Sequence, residues 1–425
     1  MENKSTAVKA LTWIGDNLVT LIFLLFTIIG LSVSEVSFSW FLGELTGRLY
    51  RNCFLVLSLI IPVIAGLGLN FGIVVGAMAG QIAVVFIRYF ELGGMSGFLL
   101  AVLLSTPLAV LFGWMTGRLY NKTRGQEMIA SLIVGYFANG VYQFLFLFVV
   151  GVIIKVPANH PLIKPDGIGI RSTVDLGMAD KGGLKYALDN IEKIPFTHAL
   201  ILIAAAILIL QILRFVHNKT AMQMKKNRIM TIINMALCVI VIGIGAYSIA
   251  AKNSLTVVAK VPVVTVLLIA ALCVFTELLL KTKLGQDFKA VGQSQRIAEV
   301  SGINVDKTRI IAVILSTVLA AWGQVIFLQN VGTLNTYNAH TQVGMFAVAS
   351  ILVGGASTSK ATVSQALIGT ILFNAMFIMS PEIGQAVFGQ ALLGEYFRTF
   401  MVYGVIGFAL GLYVWKANRK SKLTI

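Results

Sequence analysis

Residues 310–328 read IIAVILSTVLAAWGQVIFL, an unbroken apolar run without a charged side chain. A helix rises about 1.5 Å per residue, so a run of this length nearly crosses the roughly 30 Å of hydrocarbon in a bilayer. Apolar and polar residues do not alternate at every second position, which argues against a strand of a membrane barrel. The run therefore predicts a transmembrane helix.

Similar runs recur along the whole chain. Ten are predicted to span the membrane: residues 17–33, 54–70, 97–117, 128–156, 196–216, 229–251, 257–280, 310–328, 361–380 and 399–415. Two shorter Gly-rich stretches, 73–90 and 344–355, are predicted to be broken or half-membrane elements. With 57% hydrophobic and 12% charged residues, a soluble domain of 425 residues is excluded. The predicted fold class is all-α, a polytopic membrane protein of ten to twelve transmembrane helices with broken Gly-rich elements, and residues 1–425 form a single transmembrane domain.

The positive charge is concentrated in short segments between the runs. These segments are residues 118–124, 214–228, 281–309 and 416–422. Excess Lys and Arg marks the cytoplasmic side, so both termini are expected in the cytoplasm. The protein is expected to be a multi-pass protein of the plasma (inner) membrane. It is expected to contact lipids and no nucleic acid. The longest connection, 157–195, has balanced charges and is predicted to be an extracytoplasmic loop, ordered as a cap with one short helix near 183–191.

No enzyme motif is present in the sequence. The four histidines (His160, His198, His217 and His340) and three cysteines (Cys53, Cys238 and Cys273) share no metal-ligand spacing. The phosphate-binding motif GxxxxGK[ST] is absent too. We therefore predict no catalytic residue, no metal site and no cofactor in this chain, and the energy for any transport must come from a gradient or from another subunit.

The predicted spans contain neutral polar side chains, whereas acidic residues such as Glu127 are placed at span edges or in loops. A hydrogen bond between helices explains any one of these polar groups. Together they suggest a path for a neutral polar solute, such as a sugar or nucleoside, because burying an uncompensated charge is costly. The residues predicted for the path are Asn70, Phe71, Gln81, Asn139, Gln143, Gln324, Gly354 and Gly355.

A polar segment precedes the run quoted above. Residues 283–306 read KLGQDFKAVGQSQRIAEVSGINVD. The positions at helical spacing on one face are Phe288, Val291, Gln295 and Ala298. This pattern predicts a short amphipathic helix from Gln286 to Val300 that Gly302 ends. Such a helix is either a solvated connection between two spans or a docking element for a soluble partner.

The same segment resembles a known family. Residues 290–304 are similar to the pattern A-x-G-x-N-x-x-A-A-x-x-S-G-I-N of permease subunits in ABC importers of the ribose, galactose, nucleoside and branched-chain amino acid group. The matching residues are Gly292, Ala298, Ser301, Gly302, Ile303 and Asn304, and the departures are Ser294 and Ile297. Downstream, Gly354, Gly355, Ser357, Gly369 and Thr370 match a second family segment, in which Ser359 and Lys360 replace a glycine pair. Residues 66–81 resemble the family's broken Gly-rich helix, closest to the nucleoside branch.

The resemblance covers residues 57–143 and 257–415 and leaves the insert between them without a counterpart. It implies that residues 281–308 are a cytoplasmic coupling segment and that ATP is bound by separate cytoplasmic ATP-binding subunits. It also implies a second permease subunit, the same or homologous, and an extracytoplasmic substrate-binding protein. The residues implied to contact the ATPase are Gly285, Gln286, Phe288, Val291, Gly292, Arg296, Ala298, Ser301, Gly302, Ile303 and Asn304.

Two other classes remain open. A self-powered secondary carrier would also be helical and Gly-rich, but it would need a titratable group inside the spans. A passive channel or membrane scaffold would need neither a charge nor a docking helix. The polar segment at 283–306 favours the permease.

Overall fold

A computed structural model of the protein describes residues 17–157, 160–164, 167–179, 182–217, 225–251 and 260–421. The helices are α1 (Leu18–Val33), α2 (Phe38–Leu57), α3 (Ile60–Ile64), α4 (Ile73–Tyr89), α5 (Gly94–Lys122), α6 (Glu127–Phe144), α7 (Val150–Val152), α8 (Phe196–His217), α9 (Lys225–Ala250), α10 (Val263–Leu279), α11 (Lys283–Gln293), α12 (Gln295–Val300), α13 (Val305–Val331), α14 (Ala339–Val353), α15 (Val363–Phe388) and α16 (Ala391–Ser421). A π-helical turn, Leu145–Val149, joins α6 to α7. The strands are β1 (Thr173–Asp175), β2 (Lys193–Pro195), β3 (Lys260–Pro262) and β4 (Thr333–Asn335).

The fold is mostly helical, as predicted, but the predicted number of spans is not confirmed. Seven helical stretches of the described chain are long and apolar enough to cross a membrane, or eight if α10 and α11, bent by 72°, form one span. Three further apolar helices, α1, α4 and α14, are shorter. The predicted placement of both termini in the cytoplasm depends on residues 1–16 and 422–425, which lie outside the described residues.

The predicted span 54–70 is wrong, because the helix that crosses here is α2 with its continuation α3. The first part of α2 was not predicted as a span because Glu44, Arg48 and Arg51 lower its mean hydropathy. These residues do not keep α2 out of the bundle, since it packs against α10, α13 and α15. The charged side chains lie beside cavities between the helices, where a membrane helix can place polar groups away from lipid.

The two Gly-rich stretches predicted to be broken, 73–90 and 344–355, lie mainly in the continuous helices α4 and α14, and a break in the backbone lies at one end of each helix. The first separates α3 from α4, and Gly66 and Gly68 there adopt φ values of 74° and 70°, which glycine adopts without the clash of a Cβ atom. The second follows α14, where Gly355 has φ of 85°. Irregular backbone of this kind is tolerated at membrane depth only where it is buried in protein or lines a wet cavity.

The run that opens the sequence analysis forms the buried centre of the bundle. It lies within α13, which packs closely on α4 and α5. A Cβ atom built on Gly76 of α4 would lie 2.5 Å from the carbonyl oxygen of Thr317, and one on Gly113 of α5 would lie 2.8 Å from the Cα of Ile314. Small residues therefore bring the three helix backbones together, as in other membrane bundles.

The predicted extracytoplasmic loop 157–195 folds back onto one end of the bundle. Strand β1 pairs antiparallel with β4, and β2 pairs antiparallel with β3. Its side chains Leu176, Leu184 and Leu188 are buried, so the described part of this loop is an ordered cap. The short helix predicted near 183–191 is wrong, because the described residues there form hydrogen-bonded turns.

The cap and the 283–304 segment lie at opposite ends of the bundle. Helix α5 begins at the cap, where the Gly94 amide donates to the Gly183 carbonyl at 2.7 Å. It ends beside α13, where the Asn121 side chain donates to the Asp306 carbonyl at 3.0 Å. A helix of 29 residues spans about 43 Å. We call the second end the coupling end.

Candidate functional site

The segment 283–304 forms two short helices, α11 and α12, and not the single helix predicted from Gln286 to Val300. Ser294 interrupts the helix with an extended backbone (φ −160°, ψ 111°). Its hydroxyl accepts a hydrogen bond from the Ile297 amide at 3.3 Å, so Ser294 is the N-cap of α12. Gly302 follows the end of α12 with φ of 80°, which confirms the predicted helix end.

One face of this helix pair packs on the bundle. Phe288, Val291 and Ala298 are buried, as the predicted spacing required. Gly292 faces the first break, where a Cβ atom on Gly292 would lie 2.0 Å from the carbonyl oxygen of Ile64. Gly285 is buried, and a Cβ there would lie 2.1 Å from the carbonyl oxygen of Leu279. These contacts join α11 directly to the break between α3 and α4.

The opposite face of α12 exposes apolar side chains. Ile297 is 69% exposed and Val300 is 86% exposed, three residues apart on one helix face. The predicted contact residues Gln286, Arg296, Ser301, Gly302 and Asn304 are also exposed, and Ile303 is half-buried. Asn304 caps α13 through a hydrogen bond from the Lys307 amide at 2.9 Å. The structure thus exposes five of the eleven predicted contact residues and buries four of them (Gly285, Phe288, Val291 and Ala298) against the bundle. We call the accessible side of α11–α12 with residues 301–304 the coupling surface.

Ion pairs connect the coupling surface to the turn between α5 and α6. Arg124 donates to Asp306 at 2.7 Å and to Glu299 of α12 at 3.4 Å. The hydrogen bond to Asp306 raises the pKa of the Arg124 guanidinium above its usual value. This cluster is exposed to solvent, so its net contribution to stability is expected to be about 0–1 kcal/mol.

A second ion pair at the coupling end is buried. Arg309 of α13 is fully buried and donates to Glu127, the first residue of α6, at 2.6 Å and to the Tyr120 carbonyl at 3.1 Å. The sequence analysis placed Glu127 in a loop and found no charge inside the bundle, and both statements are wrong. The two residues are 182 positions apart, so no local pattern could have revealed the pair.

A cavity of about 270 Å³ lies between α2, α13, α14 and α15. Small-molecule sites usually occupy about 300–1,000 Å³, so the cavity suits a small solute. Its wall combines amides, four phenylalanines and two arginines. The lining residues used below are Arg48, Arg51, Asn52, Asn335, Asn338, Phe346, Phe373, Asn374 and Phe377. We call this space the central cavity.

Aromatic and amide groups shape the central cavity. The ring centroids of Phe346 and Phe377 are 5.2 Å apart, and those of Phe346 and Phe373 are 5.8 Å apart. Asn52 donates to the side-chain oxygen of Asn374 at 2.9 Å. Aromatic faces with adjacent amides can bind the apolar face and the hydroxyl groups of a polar ring compound.

A buried polar cluster lies on the other side of α14. The two ring nitrogens of His340 lie 3.3 Å from Gln81 Oε1 and 2.9 Å from Asn139 Oδ1. Gln81 also donates to the Tyr142 hydroxyl at 2.9 Å, and Gln143 donates to Asn139 at 3.4 Å. Three of the predicted path residues therefore meet, around a histidine that the sequence analysis treated as isolated.

The remaining predicted path residues are dispersed. Phe71 and Asn139 line a second cavity of about 240 Å³ behind α14. Asn70 accepts from the Tyr120 hydroxyl at 2.8 Å and stabilises the first break. Gln324 is buried in α13, with no hydrogen-bond partner in the described part of the chain. At the second break, a Cβ on Gly354 would lie 1.8 Å from the Gln365 carbonyl oxygen, so Gly354 permits the approach of α15, and Gly355 turns the chain.

The central cavity contains functional candidates that the sequence analysis missed. They are Arg48, Arg51, Asn52, Phe346, Phe373 and Phe377. One signal was available: Arg48, Arg51 and Asn52 are spaced three and four residues apart, which places them on one face of a helix. The phenylalanines gave no such signal, because aromatic residues are common in any apolar helix.

We expect His340→Leu to lower the free energy of unfolding by about 1–3 kcal/mol. The substitution leaves the buried Gln81 Oε1 without its histidine partner, whereas Asn139 Oδ1 keeps the hydrogen bond from Gln143, and an unpaired buried polar group carries that penalty. Thermal unfolding of the purified protein would measure it. His198→Leu is the matched control, because His198 is exposed and should change stability little. Equal stability of the two variants would contradict this role for His340.

Apolar helices around polar and aromatic cavities, with an amphipathic helix pair at one end, define the class of polytopic membrane transport proteins. The comparison with protein families agrees: the family described as branched-chain amino acid transport system / permease component matches residues 168–410. The chain belongs to this family and is a multi-pass membrane transport subunit of the ABC permease type. The match includes much of the insert for which the sequence resemblance gave no counterpart.

One curated relative is similar to this chain over part of its length. The chain is 30% identical over 162 residues to the xylose transport system permease protein XylH of Haemophilus influenzae (strain ATCC 51907 / DSM 11121 / KW20 / Rd). The similar region is 38% of this chain and 40% of the relative, so the chain matches less than half the length of that protein. A search of the solved structures found no match.

Proposed function

We propose that this chain is the permease subunit of an ATP-driven importer for a small polar solute of the sugar or nucleoside class, working by alternating access. The observation that carries the proposal is the coupling surface, where Ile297 and Val300 expose apolar side chains on a helix whose other face is buried. An exposed apolar patch beside charged residues is typical of a docking site. Partner subunits that dock at this surface bind and hydrolyse ATP. This chain itself is assigned no cofactor.

The cap and the coupling end are the two surfaces at which the soluble partners are proposed to bind. The cap presents an ordered, charge-balanced surface opposite the coupling end, which suits transient contact with an extracytoplasmic substrate-binding protein. A second permease subunit, the same or homologous, would complete the importer. In this arrangement residues 1–425 form one transmembrane domain of the plasma membrane, 157–195 lie outside, and both termini lie with 281–308 in the cytoplasm.

Coupling between the two ends would pass through the first break. Helix α11 contacts the backbone at Ile64 and Gly66, and α4 begins a few residues later. Helix α4 reaches the His340 cluster through Gln81. A displacement of α11 by the ATP-binding subunits would therefore reach the helices around the cavities without crossing a flexible linker.

The contents of the central cavity support the class of solute. Phenylalanine rings and paired asparagines suit a ring compound with hydroxyl groups, as a sugar or nucleoside has. A neutral solute was expected because the sequence analysis found no charge inside the spans. Arg48 and Arg51 line the central cavity, so that reason no longer applies.

A secondary carrier is the alternative that one observation favours. The buried pair of Glu127 and Arg309 is the kind of charge that the sequence analysis required of such a carrier. Both residues are within the first turns of their helices at the coupling end, however, and each is the other's partner. Their position suits a structural role better than proton or sodium coupling.

We expect Val300→Asp to abolish copurification of the ATP-binding subunits and to lower ATP-dependent uptake at least about tenfold. The charge would be placed in the proposed apolar contact while the buried face of α12 stays intact. Ser359→Asp adds the same charge to an exposed loop and should leave copurification unchanged. Intact copurification of the Val300→Asp variant, or uptake that persists without ATP while an ion gradient is kept, would contradict the proposal.

A further inference from the structure

Two arginines of α2 line the central cavity without adequate counter-charges. Arg48 and Arg51 are half-buried, and the Nε atom of each is buried with no hydrogen-bond partner in the described part of the chain. Arg48 follows the start of α2 by ten residues, about 15 Å along the helix. Both guanidinium groups therefore lie within the bundle and face a space large enough for a solute.

The nearby carboxylates do not neutralise this site. Glu44 is 4.0 Å from Arg48, at the limit of an ion pair. Within the described residues no carboxylate comes within 4.0 Å of Arg51, so Glu44 and Asp189 act on this guanidinium only at longer range and form no ion pair with it. No acidic residue is present in the described wall of the central cavity.

A third guanidinium lies near the two arginines, but its charge is paired. Arg398 of α16 stacks on the Phe377 ring at 3.8 Å, and Arg48 lies 5.2 Å from the same ring centroid. Arg398 forms an ion pair with Glu395, so its charge is compensated, whereas that of Arg51 is not. An unpaired charge in a low-dielectric cavity is unfavourable unless a ligand completes it.

We propose that the solute of the central cavity carries an anionic group, which Arg48 and Arg51 bind. This inference rests on the proposed function and narrows its substrate class to small polyhydroxylated anions, such as sugar acids or sugar phosphates. Guanidinium groups suit carboxylate and phosphate oxygens because their donors lie in a fixed plane. The anionic group lies at the arginines, the ring packs against Phe346 and Phe377, and the hydroxyl groups meet Asn52 and Asn374.

The geometry also explains why both amides and charges are present. Asn52 is one residue beyond Arg51, and its hydrogen bond to Asn374 links α2 to α15. A ligand that touches Arg51 and Asn374 together therefore contacts the wall formed by α2 and the wall formed by α15. Such a ligand would favour one relative position of these helices, as an alternating-access cycle requires.

The test uses pairs of probes that differ by one charge. Galacturonate is compared with galactose, and ribose phosphate with ribose, by the ligand-induced rise in Tm of the purified full-length protein. We expect at least one anion of the two pairs to bind at least about tenfold more tightly than its neutral parent. If each neutral sugar binds as well as its anion, or if neither anion binds, the inference is overturned and the arginines only extend toward the membrane surface.

Variants of Arg51 assign the effect to the site. Arg51→Gln should weaken binding of the anion at least about tenfold more than binding of the neutral sugar, whereas Arg51→Lys should restore part of the affinity for the anion because it keeps the charge. Arg118→Gln is the control, since Arg118 stacks on Trp114 away from the cavity. Equal affinity of the Arg51→Gln and Arg118→Gln variants for the anion would overturn the assignment.

This experiment is independent of the test of the proposed function. If the ATP-binding subunits copurify but no anion is preferred, the proposal of an ATP-driven importer is supported and the proposal of an anionic solute is contradicted. If an anion is preferred but no ATP-binding subunit copurifies, the site stands and the ATP-driven importer is wrong.

Discussion

Replacing Arg309 with methionine is expected to lower the free energy of unfolding by about 3–5 kcal/mol. The change leaves the Glu127 carboxylate buried at the coupling end without its cation, and an uncompensated buried charge is among the most destabilising defects a fold can have. The measurement is thermal or denaturant unfolding of the purified protein, with the yield of folded protein as a second readout. Among the substitutions considered, this one has the largest expected effect on stability.

Two further variants separate charge burial from general damage. Arg124→Gln removes an exposed arginine only a few residues from Glu127 and should change stability by about 0–1 kcal/mol. The double variant Glu127→Leu with Arg309→Met removes both charges and should recover most of the lost stability, because an apolar pair needs no compensation. A double variant as unstable as Arg309→Met alone would show that the loss arises from packing and not from the unpaired carboxylate.

Gly292→Ala is expected to have the largest effect on coupling. The new Cβ atom would lie 2.0 Å from the Ile64 carbonyl oxygen, so α11 must move away from the first break. Overpacking of this kind costs about 1–3 kcal/mol, and we expect ATP-dependent uptake to fall at least about tenfold because α11 no longer contacts the backbone that leads into α4. Uptake is measured in proteoliposomes that contain the assembled importer.

The control for Gly292 is Gly404→Ala, at a position in α16 where nothing lies within 4 Å of an added Cβ. That variant should retain uptake and stability, since alanine is a better helix former than glycine. If Gly292→Ala transports as well as the control, α11 does not transmit motion through the first break.

Long apolar runs were predictable from the sequence, and interrupted ones were not. The run at 310–328 lies within α13 as expected, because no charge disturbs its pattern. Helix α2 was missed because its charged residues face protein cavities, and hydropathy cannot distinguish a charge beside a cavity from one in a loop. The break at Ser294 was missed for a related reason: the apolar spacing of Phe288, Val291 and Ala298 continues across it.

The candidate site was predictable only in part. Gln81, Asn139 and Gln143 were selected as polar residues in apolar spans, and the structure brings them together. Their contact with His340 depends on α14 lying beside α4 and α6, and no single helix encodes that arrangement. The central cavity likewise combines α2 with α15, which are more than 300 residues apart in the chain at Asn52 and Asn374.

The short ladder between β1 and β4 connects the cap directly to the wall of the central cavity. Thr333 and Asn335 of β4 line the cavity and are paired with Asp175 and Thr173 of the cap. A force that lifts the cap must therefore either break these backbone hydrogen bonds or pull on the cavity wall just before α14 begins. Because the ladder is only three residues long, a small displacement of the cap moves the cavity wall with it, whereas a larger one separates the two strands.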